Sequence, residues 1–197
     1  MVLNLPELLG ISILAPILLA WFYRATMRQF AYGMIAGPAA LLVSLLMEYL
    51  MLSYFTLLFI VLVLAPVIEE SAKFVLTLRG SAKRGMMVGM GFAWIENVMY
   101  FLSFSAAFAL VFVLREFSDP ILHGTTTAIA SDSWRTRGAR RIIPIGIAIA
   151  LHVAWNTFSI ITLSYPYLVF AITIAYGAAL YFIIKKGKKG SREPISA

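Results

Sequence analysis

The sequence predicts an all-α, polytopic membrane helix bundle of about seven transmembrane helices. Three observations predict it. The 197 residues are 61% hydrophobic and only 13% charged, roughly half the charged share of a soluble domain. The apolar residues form runs of about 20, the length an α-helix needs to cross a hydrocarbon core. The basic residues, which leave a net charge of +7, cluster at the ends of those runs, a pattern of membrane orientation and not of nucleic-acid binding. The length suits one domain, residues 1–185, followed by a basic tail at 186–197. With no cysteine in the chain, disulfides, thiol catalysis and thiolate metal sites are excluded.

The first helix spans about Leu5 to Tyr23, with Pro16 as a kink. No basic residue precedes it and no clear cleavage site follows, so it reads as a retained helix and not a removed signal peptide. Arg24 and Arg28 come next. The second helix spans about Ala31 to Leu52, where Gly33, Gly37 and Pro38 permit close packing or a bend. The third spans about Phe55 to Leu78 and ends at Arg79, Gly80, Lys83 and Arg84. The stretch Met86 to Leu114 carries no strong turn signal, and reads as one long helix or as one helix with a short hairpin arm. Arg115-Glu116-Phe117-Ser118-Asp119-Pro120 is expected to break it. A short fifth helix covers about Asp119 to Ser131. After Arg135, Arg137, Arg140 and Arg141, a sixth spans Ile142 to Leu163. Ser164-Tyr165-Pro166 turns the chain into a seventh, Tyr167 to Ile184, and the lysines from Lys185 to Lys189 end the folded part.

The positive-inside rule decides the count. If Met86 to Leu114 crosses once, the Arg24/Arg28, Arg79/Lys83/Arg84 and Arg135–Arg141 loops and the lysine tail all share one side. If it crosses twice, the Arg135–Arg141 loop falls outside. Seven crossings of the plasma membrane are therefore expected, with the N-terminus outside and the C-terminus cytoplasmic. An eighth, re-entrant or interfacial segment near Phe104–Leu114 is the alternative.

The third helix holds the costliest stretch, Glu69-Glu70-Ser71-Ala72-Lys73. A charged residue at a membrane helix centre costs roughly 2.5–3.5 kcal/mol, so something must offset three of them. Lys73 follows Glu70 by three residues and Glu69 by four, and on a helix it reaches either. A buried ion pair that fixes packing and an intramembrane active site are both consistent with this stretch alone.

The other strongly polar residues meet it at one depth. Glu96 and Asn97 lie in the fourth helix, His123 in the fifth, His152 and Asn156 in the sixth. From Glu70 to Arg79 is nine residues, from Arg84 to Glu96 twelve, from His123 to Asp132 nine and from Arg141 to His152 eleven. At 1.5 Å per residue these depths are roughly 14–18 Å, near mid-bilayer on four helices of alternating direction. That agreement favours a functional site. His152 and Asn156 share a helix face, as do Phe92, Glu96 and Tyr100. Simpler roles suffice elsewhere: helix packing for Gly85, Gly89 and Gly91, an interhelical hydrogen bond for Asn97, the core for Trp94 and Trp155, and interfacial anchoring for Glu48, Trp21, Tyr49 and Tyr54.

Carboxylates and imidazoles gathered in a low-dielectric site can activate water, with a carboxylate as general base. A histidine and an asparagine on one face can donate to a developing oxyanion. The same groups suit Zn2+ or another divalent metal, with ligands drawn from Glu70, Glu96, His123 and His152, and catalytic zinc keeps one position for water. There is no HExxH, so a standard zincin is excluded, and nothing marks Ser71 as an activated nucleophile. Hydrolysis of a peptide bond within or beside the membrane is the natural reaction class. A non-catalytic scaffold, its polar cluster holding helices together, and a proton-coupled transporter are the alternatives; the lack of an obvious inverted repeat counts against the transporter.

At these residues the sequence resembles the PrsW family of intramembrane proteases, part of a wider group with the CAAX prenyl endopeptidases and bacteriocin-processing proteins. The likeness rests on Glu69-Glu70-Ser71-Ala72-Lys73, on Gly91-Phe92-Ala93-Trp94-Ile95-Glu96-Asn97, on His123-Gly124-Thr125 and on His152-Val153-Ala154-Trp155-Asn156. It implies cleavage of a membrane-anchored protein substrate such as an anti-sigma factor. By analogy with the CAAX relatives it implies Glu69 as the water-activating base and His152 with Asn156 as oxyanion donors. The CAAX pattern has histidine where this chain has Glu96, and His123 is the expected replacement. The wider group also includes the scaffold subunit of gamma-secretase, which carries the scaffold alternative. Adjacent helix positions differ by about 100°, so one glutamate of the pair is expected to face the centre and the other to be held by Lys73.

Overall fold

A computed structural model describes residues 5–77, 80–103, 109–135, 140, 142–161 and 166–190, and among these there is helix and no strand. Helices α1 (Leu5–Ser12) and α2 (Leu14–Phe22) meet at Ile13. Pro16 has no N–H for the carbonyl of Ser12 four residues back, which accounts for the interruption there. A turn follows in which Arg24 takes φ 54° and the Ala25 N–H bonds the Ala20 carbonyl at 2.8 Å. Thr26 and Gln29 then cap α3 (Met27–Met51) reciprocally: the Thr26 hydroxyl accepts from the Gln29 N–H, and the Gln29 amide oxygen from the Thr26 N–H.

The third hydrophobic segment is not one regular helix. A single turn, α4 (Leu57–Phe59), leads through a π-helical turn (Ile60–Leu64) into α5 (Ala65–Leu76). In the π turn the Ala65 N–H bonds the Ile60 carbonyl, five residues back.

The fourth and fifth segments depart from expectation. Helix α6 (Ala82–Ser103) ends well before Leu114, and α7 (Ala109–Asp132) runs unbroken through Arg115–Pro120. Interior proline is tolerated in membrane helices because neighbouring groups satisfy what it frees, and here the Arg115–Asp119 ion pair bridges one turn on the same helix. The helix break expected at that stretch is therefore absent, and Asp119 does not start a helix. Of the alternative re-entrant segment, residues 104–108 lie outside the described residues, and 109–114 are the first turns of α7. The chain thus reverses between α6 and α7, and the two pack antiparallel. Gly85 abuts Ser131, Gly89 abuts the His123 carbonyl, and Asn97 Nδ2 donates to the Arg115 carbonyl at 3.3 Å.

Helices α8 (Ile142–Ile161) and α9 (Pro166–Gly190) complete the described residues. The expected turn at Ser164-Tyr165 lies outside the described residues. Helix α9 continues past Ile184 through the lysines, which are good helix formers and favourable at a helix C-terminus.

Among the described residues, four helical stretches are long and apolar enough to cross a membrane: Leu5–Phe22, Met27–Met51, Ile142–Ser159 and Leu168–Lys186. Helices α5, α6 and α7, which carry Glu69, Glu70, Lys73, Glu96, Arg115 and Asp119, are not among them. Helix α6 is deeply enclosed, with Met86, Met87, Val88, Met90, Phe92 and Ala93 fully buried. Its approach to α3 depends on absent side chains. A Cβ on Gly91 would collide with the Gly33 carbonyl, and one on Gly33 with the Met87 backbone. Trp155 is in the core, edge-on to Tyr176, and Trp94 Nε1 donates to the Leu9 carbonyl.

Candidate active site

Glu69, Glu70 and Lys73 occupy one face region of α5, and all three are buried. Lys73 Nζ lies 2.7 Å from Glu70 Oε1 and 3.7 Å from Glu69 Oε2. It is also 2.7 Å from His123 Nδ1 and 4.2 Å from the centroid of the Phe92 ring. A buried ammonium is tolerated when it is paired and hydrogen-bonded, and these neighbours do that.

Glu70 Oε1 is the hub of the cluster. It accepts from Lys73, from Thr126 Oγ1 at 3.0 Å and from His152 Nδ1 at 2.8 Å. A carboxylate only accepts, so this contact makes His152 Nδ1 the protonated nitrogen and leaves the lone pair on Nε2. His152 Nε2 points toward Glu69, 3.8 Å from its Oε2. That oxygen is buried and has no hydrogen-bond partner among the described residues.

His123 is gripped from both sides. The Lys73 ammonium can only donate, so it donates to Nδ1, and Nε2–H donates to Glu96 Oε2 at 2.9 Å. Glu96 also lies 3.7 Å from Arg115, whose guanidinium covers the Tyr100 ring and pairs with Asp119. The two imidazoles meet edge to face with centroids 4.9 Å apart. The closeness of α6 to α7 at Gly89 sets where the His123 backbone can sit.

Ligand atoms of Glu69, His123 and His152 all lie within 4.8 Å of one another. Two imidazoles and a carboxylate are a familiar donor set for catalytic zinc. The orphaned Glu69 oxygen facing an unprotonated imidazole nitrogen is what such a cation would complete. Glu70 holds His152 by its other nitrogen, in the manner of an outer-shell carboxylate, while His123 has Lys73 on Nδ1 and Glu96 on Nε2.

Of the residues singled out in the sequence, Glu69, Glu70, Lys73, Glu96, His123 and His152 come together. Asn156 does not join this hydrogen-bond network. It lies one turn from His152 on α8, and its Nδ2 donates to the Val61 carbonyl in the π turn at 2.9 Å. The Ser71 hydroxyl donates to the Val67 carbonyl of its own helix. Thr126 and Arg115 belong to the cluster without having been singled out. Thr126 follows His123 by three residues and so shares its helix face, a signal masked by the run Thr125-Thr126-Thr127. Arg115 stood in a presumed loop.

A family model described as "PrsW family intramembrane metalloprotease" matches residues 22–184. Neither the curated proteins nor the solved structures compared with the chain gave a match. The matched region runs from the end of α2 to α9 and contains every residue of the cluster, and the chain therefore belongs to the PrsW family of intramembrane metalloproteases.

Proposed function

We propose that this chain hydrolyses a peptide bond of a membrane-anchored protein, with Glu69, His123 and His152 at the reacting centre. One observation carries the assignment: the Glu69 Oε2 atom is buried, lacks a hydrogen bond among the described residues, and faces His152 Nε2. A divalent metal such as Zn2+ would be held by these three residues, and when bound it would polarise the scissile carbonyl and acidify a water. Glu70 Oε1 already accepts from three donors; its Oε2 is buried without a hydrogen bond among the described residues, as Glu69 Oε2 is, but it is Glu69 whose ligand atom groups with those of His123 and His152. Glu96 is engaged by His123 and Arg115. These two carboxylates orient the imidazoles instead. A metal on His123 would replace either its Lys73 or its Glu96 contact.

Glu69 serves in either chemistry. With a metal it is a ligand; without one it is the carboxylate free to take a proton from water, with His152 Nε2 beside it. The family is one of proteases, which does not favour the non-catalytic scaffold. The substrate class is a membrane-anchored protein, an anti-sigma factor being the kind the resemblance implies. The reading also keeps seven crossings of the plasma membrane with the N-terminus outside. It is supported by Lys83 at the start of α6 donating to the Arg24 carbonyl, which gathers basic segments at one end of the bundle.

The test is cleavage of a membrane-anchored reporter by the purified chain in liposomes. Glu69→Gln is expected to abolish it. Loss of cleavage in chelator with recovery on adding Zn2+ supports the metal chemistry, and full activity in chelator supports the glutamate chemistry. Full activity of Glu69→Gln would overturn the assignment of the centre.

A further inference from the structure

The geometry points to Asn156 as a positioning residue that locks α8 to the π turn by occupying a backbone carbonyl which its own helix leaves empty. In an α-helix the Val61 carbonyl would accept from the Ala65 N–H, four residues on. That N–H goes instead to the Ile60 carbonyl, closing the π turn. In a π-helix the donor would come five residues on, and that residue is Pro66, which has no N–H. The extra residue of the π turn and the proline thus together remove both helical donors from one carbonyl. An unsatisfied carbonyl in a bilayer is costly. Asn156 Nδ2 fills the vacancy at 2.9 Å.

The consequence reaches the reacting centre. Val61 lies two turns before Glu69 on one continuous rod, and Asn156 lies one turn after His152 on α8. The bond therefore sets how α8 sits against α5, and with it the separation of His152 Nε2 from Glu69 Oε2, 3.8 Å. The same amide hydrogen cannot at once hold Val61 and reach an oxyanion, so this role competes with the oxyanion role that the resemblance implies. The inference rests on the proposed reaction for its effect on rate, but not for its structural content.

The absence of cysteine from the chain makes a spin-label test direct. Nitroxides are placed at Val75→Cys on α5 and Ile147→Cys on α8, both exposed. The distance distribution between them is measured in the full chain in liposomes, alone and with Asn156→Ala or Asn156→Asp, each with Pro66 or with Pro66→Ala. Both Asn156 variants are expected to broaden or shift the distribution. The change is expected to be smaller with Pro66→Ala, because residue 66 then offers the Val61 carbonyl an N–H. In parallel, kcat for the reporter should fall about 10- to 100-fold with KM nearly unchanged, as for residues that orient a site from outside it. An unchanged distribution, or an equal change whether or not Pro66 is present, overturns the inference; kcat lost with the distribution intact would mean that Asn156 acts on the reaction directly. If the parent chain cleaves nothing, the proposed function fails, and the label distances still decide the inference.

Discussion

Glu70 Oε1 lies 2.8 Å from His152 Nδ1, and this contact orders the roles of the paired glutamates. It fixes the tautomer of His152 and turns Nε2 toward Glu69. Glu70→Gln keeps the shape but offers a neutral oxygen to Lys73, Thr126 and His152. Activity is expected to fall about 10- to 100-fold, the usual loss when the carboxylate behind a functional histidine is altered. Reporter cleavage by purified Glu70→Gln checks this; full activity would detach Glu70 from the site.

Glu70→Ala should do more than lower activity. It leaves the Lys73 ammonium, fully buried, without its closest counter-charge. Breaking a buried pair by removing one partner costs about 3–5 kcal/mol. A thermal midpoint well below that of Glu70→Gln is the expected result, measured in the same detergent.

Gly89→Ala tests how α6 places His123. The added methyl meets the His123 carbonyl, and backbone cannot move aside as a flexible side chain can. Overpacking of this kind costs about 1–3 kcal/mol. Cleavage should fall along with stability, because the helix that must retreat carries His123. Gly10→Ala meets nothing within 4 Å and should leave both measurements unchanged.

Arg115→Met tests the second polar layer. The guanidinium pairs with buried Asp119 and lies 3.7 Å from Glu96. Its loss leaves Asp119 buried without a counter-charge, and a cost of about 3 kcal/mol or more is expected. The thermal midpoint reads that cost, and the Arg115→Met, Asp119→Leu double variant should recover part of it.

Trp134→Phe isolates one contact between the ends of α5 and α7. Phenylalanine keeps the stacking on Phe74, whose ring centroid is 4.8 Å from that of Trp134, but loses the Nε1 bond to Thr77 Oγ1 at 3.0 Å. A loss of about 0.5–1.5 kcal/mol is expected, with cleavage little affected.

The sequence by itself determined the helical membrane class, the one-level meeting of Glu70, Glu96, His123 and His152, and the family. The first two follow from local quantities: hydropathy summed over a run, and a rise of 1.5 Å per residue that converts residue counts into depth; the family rests on the resemblance of four motifs, from Glu69-Glu70-Ser71-Ala72-Lys73 to His152-Val153-Ala154-Trp155-Asn156. It also marked Gly89 and Asn97 as packing positions, because a missing side chain or a lone amide in an apolar helix has few other uses.

Rotation about the helix axis was decided only by the tertiary structure. Counting residues gives depth but not phase, and adjacent positions differ by about 100°. Which glutamate is left facing the centre depends on the π turn before them, whose extra residue rotates all that follows. Pro66, interior to the rod that begins at Leu57, signals locally that the helix is interrupted, but not that the interruption is a π turn. Its freed carbonyl is satisfied from α8, by Asn156, 95 residues away along the chain. The continuity of α7 through Arg115–Pro120 has the same origin. Read locally, charges and a proline signal a break. Paired with Asp119 and Glu96 inside a bundle, Arg115 becomes part of the helix and of the cluster beside it.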